Sequence, residues 1–165
     1  MVKKIGIVWL ILFLIVACAK LKPVPISIED NPPHHYLQGM EAIERGDLDE
    51  AERRFDRALY LDKDYSPALA GKALVLAIKA GKQGEKEHMA VDMKKAIDFL
   101  KKARKKANGD SQKFIYHVTA IRVYTEGHPK DWLEEAKDHY EYALKLKKVN
   151  EADLPYYQTT SAMHY

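Results

Sequence analysis

Gly46-Asp47-Leu48-Asp49-Glu50-Ala51-Glu52-Arg53-Arg54-Phe55-Asp56-Arg57-Ala58-Leu59-Tyr60-Leu61-Asp62 decides the fold. It reads as a glycine stop, an acidic helix start, then Ala51, Phe55 and Ala58 at i, i+4 and i+7. Those positions share one stripe of a helix. Small residues flanking a bulky one let a neighbouring helix come close and receive the bulky side chain. The same spacing recurs at Ala96, Leu100 and Ala103, and again at Ala136, Tyr140 and Ala143. Three copies about 40 to 45 residues apart predict a stacked helical repeat.

Working outward, the pattern extends back to Tyr36, Gly39 and Ala42 and forward through Leu59 and Asp62 to Tyr65. With these residues the segment 34–65 resembles a tetratricopeptide repeat. The resemblance implies an all-α fold, an α-solenoid of about three helix-turn-helix repeats (34–65, 66–109 and 110–149) with a C-terminal capping helix over 150–165. The first helix is expected over His34–Arg45, burying Tyr36, Leu37, Met40 and Ile43, with Gly46 as its stop. Asp47 and Glu50 read as a capping box for the second helix, and Asp131 and Glu134 as one for the sixth. Ser66-Pro67 reads as the start of the third, ending at Gly81. Gly81 to Glu87 reads as a loop, or as the lengthened start of a fourth helix beginning near His88. That helix is expected to bury Met89, Met93, Ala96, Ile97, Leu100 and Ala103. Phe114, Val118, Ile121 and Tyr124 are the inward stripe expected of the fifth, and Leu133, Ala136, Tyr140, Ala143 and Leu144 that of the sixth. Asn150 onwards, with Leu154, Tyr157, Ser161 and Ala162, reads as the terminal cap that such arrays need, or as a piece of a further repeat.

The chain has 165 residues, 31% of them charged with both signs mixed, and one cysteine. That bounds it to one domain with a modest core and excludes an internal disulfide. The net charge of +3 includes Lys3 and Lys4 and gives no support to nucleic-acid binding. Met1 to Ala17 places those lysines before an apolar run too short to span a bilayer, the pattern of a signal peptide. The run closes Ile15-Val16-Ala17-Cys18, which resembles a bacterial lipobox. That resemblance implies cleavage before Cys18, lipidation of its thiol, acylation of the new amine, and stable membrane anchoring by two or three acyl chains. Ala19 lacks the aspartate that retains such lipoproteins in the inner membrane. The implied location is the outer membrane facing the periplasm, or the outer face of the plasma membrane in a Gram-positive cell. Leu21 to Pro33, with four prolines, reads as an extended tether over 18–33.

No spacing for metal ligands, no phosphate-binding glycine loop and no nucleophile elbow occurs. Neither a metal nor a cofactor is expected, and His117 and His139 are expected to meet only by accident of packing. The sequence argues against an enzyme. Two surfaces remain for partners. One is the face of the first helices, which in the repeat family lines a groove: Tyr36, Met40 and Ile43, then Ala70, Leu74 and Ala77, then His117, Ile121 and Tyr124. The other is the basic face of the fourth helix, with Lys94, Lys95, Lys101, Lys102, Lys105 and Lys106, which reads as a solvated face or as a dock for anionic lipid or an acidic partner. The reading is a lipid-anchored scaffold or adaptor gripping an envelope protein during assembly of outer-membrane proteins or pilus secretins. An adaptor for peptidoglycan-processing enzymes, and a ligand-binding protein or catalyst using the Gly81–His88 loop, stand as alternatives.

Overall fold

The computed structural model describes residues 26–82 and 86–146; the expected signal peptide, Cys18, most of the expected tether and the expected capping helix lie outside them. Every regular element among the described residues is a helix: α1 Pro32–Glu44, α2 Leu48–Leu61, α3 Ser66–Lys82, α4 Lys86–Lys106, α5 Gly109–Gly127 and α6 Trp132–Lys145. The protein is all-α. Successive helices pack on each other, and α3 also touches α1 and α5, so the odd-numbered helices lie side by side. None of the described helices is long and apolar enough to cross a membrane.

α1 starts two residues before the expected point. Pro32 and Pro33, expected at the end of a tether, form its first turn instead, where a missing N–H costs nothing. Asn31 caps the turn by accepting from the His34 N–H at 2.9 Å. Just ahead, buried Asp30 accepts from the Ile26 N–H (2.7 Å), His35 Nε2 (2.7 Å) and both Arg57 Nε (2.9 Å) and Nη2. The Arg57 guanidinium, then the Ile26 and His35 bonds, hold this carboxyl well below the ordinary range. Residues 26–30 are therefore pinned to α1 and α2.

α1 closes as the sequence predicts. Gly46 sits at φ 78°, and the Asp47 N–H reaches back to Ala42 O at 2.9 Å. That bond halves the capping box. Asp47 accepts from the Glu50 N–H at 3.0 Å, but its own N–H is already spent, and Glu50 turns to Arg53 and Arg54. In α2 the stripe Ala51, Phe55 and Ala58 is fully buried. A Cβ added at Gly39 of α1 or at Gly71 of α3 would stand 2.5 Å from the Phe55 ring. Two helices thus give up a side chain each to admit one ring, whose burial is worth about 1.5–3 kcal/mol. Tyr36 packs beside it at 6.0 Å between centroids.

α3 is the centre of the molecule, leaving only Lys72, Leu76, Lys79 and its last two residues with appreciable surface. Ser66 is not its cap. The hydroxyl is buried and donates to Ala103 O at 2.8 Å, tying the start of α3 to the last turn of α4. Gly81 does not stop the helix either. It is the point where α3 meets α5, since a Cβ there would lie 2.4 Å from Glu126 O. α4 starts at Lys86, two residues before the expected point. It buries Met93, Ala96, Leu100 and Ala103, with Met89 and Ile97 half-buried at its edge.

Two expected stripes are corrected. In α5 the buried residues are Ile115, Tyr116, Thr119, Ala120, Val123 and Tyr124; Phe114, Val118 and Ile121 are only half-buried. The helix is turned by about one residue because α3, α4 and α6 all pack on it. In α6 only Ala136 and Ala143 are buried, while Leu133, Tyr140 and Leu144 are 64%, 55% and 48% exposed. Much of the surface of these three side chains is left uncovered by the described residues. The second capping box is also missing, for Asp131 makes no side-chain cap bond.

Candidate functional site

α4, α5 and α6 enclose a cleft of about 420 Å³ in which α5 forms the floor and the other two helices form walls. The floor carries Tyr116, His117 and Tyr124, spaced so that the first two adjoin and the third lies two turns on. α6 contributes His139 and Tyr142 and, one turn before His139, Glu135. His117 and His139 do meet. Their Nδ1 atoms lie 2.9 Å apart, a hydrogen bond in which one nitrogen donates and the other accepts. When both rings are neutral they must therefore hold opposite tautomers, one protonated at Nδ1 and the other at Nε2.

Aromatic packing fixes this pair. Tyr116 meets His139 edge-on at 5.4 Å and His117 at 4.9 Å. Tyr142 stacks on His117 at 5.3 Å and 17°, and Tyr124 on His139 at 5.7 Å and 25°. Burial pushes His139 down to about 4, with the His117 and Arg104 charges adding to the effect; it also pushes His117 down, again with Arg104. Tyr124 is pushed up to about 12, by burial first and then by Glu135, and burial raises Tyr116. At neutral pH the floor is thus uncharged and rich in hydrogen-bonding groups.

The walls are charged and opposite in sign. Lys101 and Arg104 line the cleft from α4, and Glu135 and Asp138 from α6. Lys101 stands 4.0 Å from Asp98 on its own helix. Among the described residues, no ion pair joins Arg104 to either carboxylate across the cleft. No group of three or more His, Cys, Asp or Glu among them is placed to hold a metal ion. A larger, apolar groove of about 920 Å³ continues along α4 past Met89 and Met93 to the α5–α6 turn.

The surfaces read from the sequence are distributed otherwise. Tyr36, Met40, Ile43, Ala70, Leu74, Ala77 and Tyr124 are all buried, their surface taken by packing within the array. His117 and Ile121 keep some surface, and only His117 and Tyr124 of the nine reach the cleft. Lys94, Lys95, Lys101, Lys102, Lys105 and Lys106 are all exposed on α4. Lys95 pairs with Asp92 at 3.3 Å and Lys106 with Asp64 at 3.0 Å, while Lys102 sits over the Phe99 ring at 5.2 Å. The groups that sequence reasoning passed over are Arg104, Tyr116, Glu135, Asp138 and Tyr142. Glu135, Asp138, His139 and Tyr142 recur at helical spacing along one side of α6, which is the signal that could have found them.

No protein-family model matches the chain, and no curated protein and no solved structure is significantly similar to it. The fold is all-α, with a polar aromatic cleft among the last three described helices.

Proposed function

We propose that the protein is a tetratricopeptide-like solenoid, anchored to a bacterial membrane through lipidated Cys18, that serves as a non-catalytic scaffold or adaptor for another envelope protein. The observation that supports it most is the seating of Phe55 between Gly39 and Gly71, with α1, α3 and α5 side by side. Interlocked helix pairs of this kind build extended surfaces suited to holding a partner chain. The lipobox-like Ile15-Val16-Ala17-Cys18 supports the anchor and the outer-membrane, periplasm-facing location. Assembly of outer-membrane proteins or of pilus secretins is the process proposed for the partner.

The test is photocrosslinking in the native membrane with probes at His117, Ile121 and Lys102, combined with radiolabelled palmitate. Cys18→Ala should abolish the label and release the protein from the membrane. The probes at His117 and Ile121 should capture one envelope-assembly protein reproducibly. Capture of peptidoglycan-processing enzymes there would move the protein to that pathway. Labelled lipid alone at all three positions would overturn the scaffold reading.

A further inference from the structure

The cleft carries a second reading, one that depends on neither the anchor nor the partner protein. Its two walls bear opposite charges held apart, Arg104 on α4 facing Glu135 and Asp138 on α6. α4 and α6 each pack on α5 and scarcely on each other, so α5 holds the two charged rims apart. The space between them is floored by the neutral His117–His139 pair and by tyrosines. A cation alone would face Arg104 and two neutral imidazoles; an anion alone would face Glu135 and Asp138. A molecule carrying both charges satisfies both walls at once.

We propose that the cleft is a binding site for a small zwitterion with a free ammonium and a free carboxylate, an α-amino acid or a dipeptide, bearing an apolar or aromatic side chain. The carboxylate lies on the α4 wall, where Arg104 offers a two-pronged donor and Lys101 a second positive charge. The ammonium lies on the α6 wall against Glu135 and Asp138. The side chain rests against half-buried Ile97 and the exposed edge of Tyr142, and the imidazole pair supplies one N–H and one lone pair for the ligand's remaining polar atoms. A volume of about 420 Å³ lies in the range of small-molecule sites and holds either ligand.

The experiment is titration calorimetry on the full-length chain in detergent with L-phenylalanine and L-alanyl-L-phenylalanine, each also as its N-acetyl and its C-amide form. The free zwitterion should bind, and blocking either end should weaken it by roughly tenfold or more. Arg104→Gln should erase the preference for the free acid over the amide while keeping the preference for the free amine. Glu135→Gln combined with Asp138→Asn should do the reverse. All three positions are exposed, so circular dichroism should show an unchanged helical fold. The better of the two free ligands identifies whether an amino acid or a dipeptide is the occupant. Equal heats from free and blocked forms, or no heat from any of them at about 10 mM, would overturn the proposal.

Discussion

The two ends of the array solve the same packing problem with different materials. Around Phe55 the solution is steric and dry: one ring seated between two glycines, beside Tyr36 and in line with Ala51 and Ala58, all buried. Around His117 and His139 the solution is polar: half-buried imidazoles with buried Tyr116 and Tyr124 and exposed Tyr142, hydrogen-bonded or stacked, with ionised groups at the rim. The first arrangement can only hold helices together. The second holds them together less completely and leaves chemistry available. Within one chain the N-terminal end bears the load and the C-terminal end keeps a site.

The sharpest way to break that contrast is Phe55→Ala, which should lose about 3–5 kcal/mol in a denaturant melt, as deletion of a fully buried ring does. Gly71→Ala alone should cost about 1–3 kcal/mol through overpacking, and combined with Phe55→Leu it should cost less than the two changes summed, because the smaller side chain makes room. Gly81→Ala and Gly127→Ala offer a finer comparison. At Gly81 the new Cβ meets backbone oxygen at 2.4 Å, at Gly127 the flexible Met93 Sδ at 2.0 Å. Gly81→Ala should therefore lower the melting temperature more than Gly127→Ala, even though its contact is the longer.

Acid should take the two ends apart in separate windows. His139 is depressed to about 4 in the folded protein against an ordinary value near 6.5, so between those pH values the unfolded chain binds the extra proton. Stability then falls as pH drops from about 6.5 towards 4, and that component levels off below. Asp30 is depressed too, but for a carboxylate the sign places its contribution above about pH 4, with loss only as pH falls further. Hydrogen exchange followed across pH 7 to 3 should show α5 and α6 loosening before α1 and α2. His139→Gln should flatten the upper window and Asp30→Asn the lower. The smallest effect belongs to the exposed side chains of α6. Tyr140→Ser should change stability by under about 0.5 kcal/mol if the described residues are all that touches it.

How much of this could be read in advance also differs between the ends. Phe55 and its flanking alanines announce themselves because α2 has one apolar stripe and an otherwise charged surface, so periodicity and burial coincide. The turn at Gly46 follows from the glycine alone. α5 hides its orientation because three helices pack on it, and a helix that is apolar on several sides has no stripe to read. Its true face differs from the expected one by a single residue. The His117–His139 contact joins positions 22 apart on two helices and depends on how those helices cross, which no local pattern encodes. Both capping boxes had the right letters, yet Glu50 found two arginines on its own helix and Asp131 made no cap bond. Local motifs predict what a residue can do, and neighbours decide what it does.

One contact reaches farther than the rest. Glu44, at the end of α1, accepts from Arg122 of α5 at 3.0 Å, joining residues 78 apart in sequence across the central α3. It ties α1 to α5 directly, so a shift of either helix against the other must lengthen or relax it. Both partners are about a third exposed, so dissolved ions screen the attraction and weaken the tie. What this pair adds to the hold between α1 and α5 therefore fades as ionic strength rises, while the buried seat of Phe55 has no charge for salt to screen.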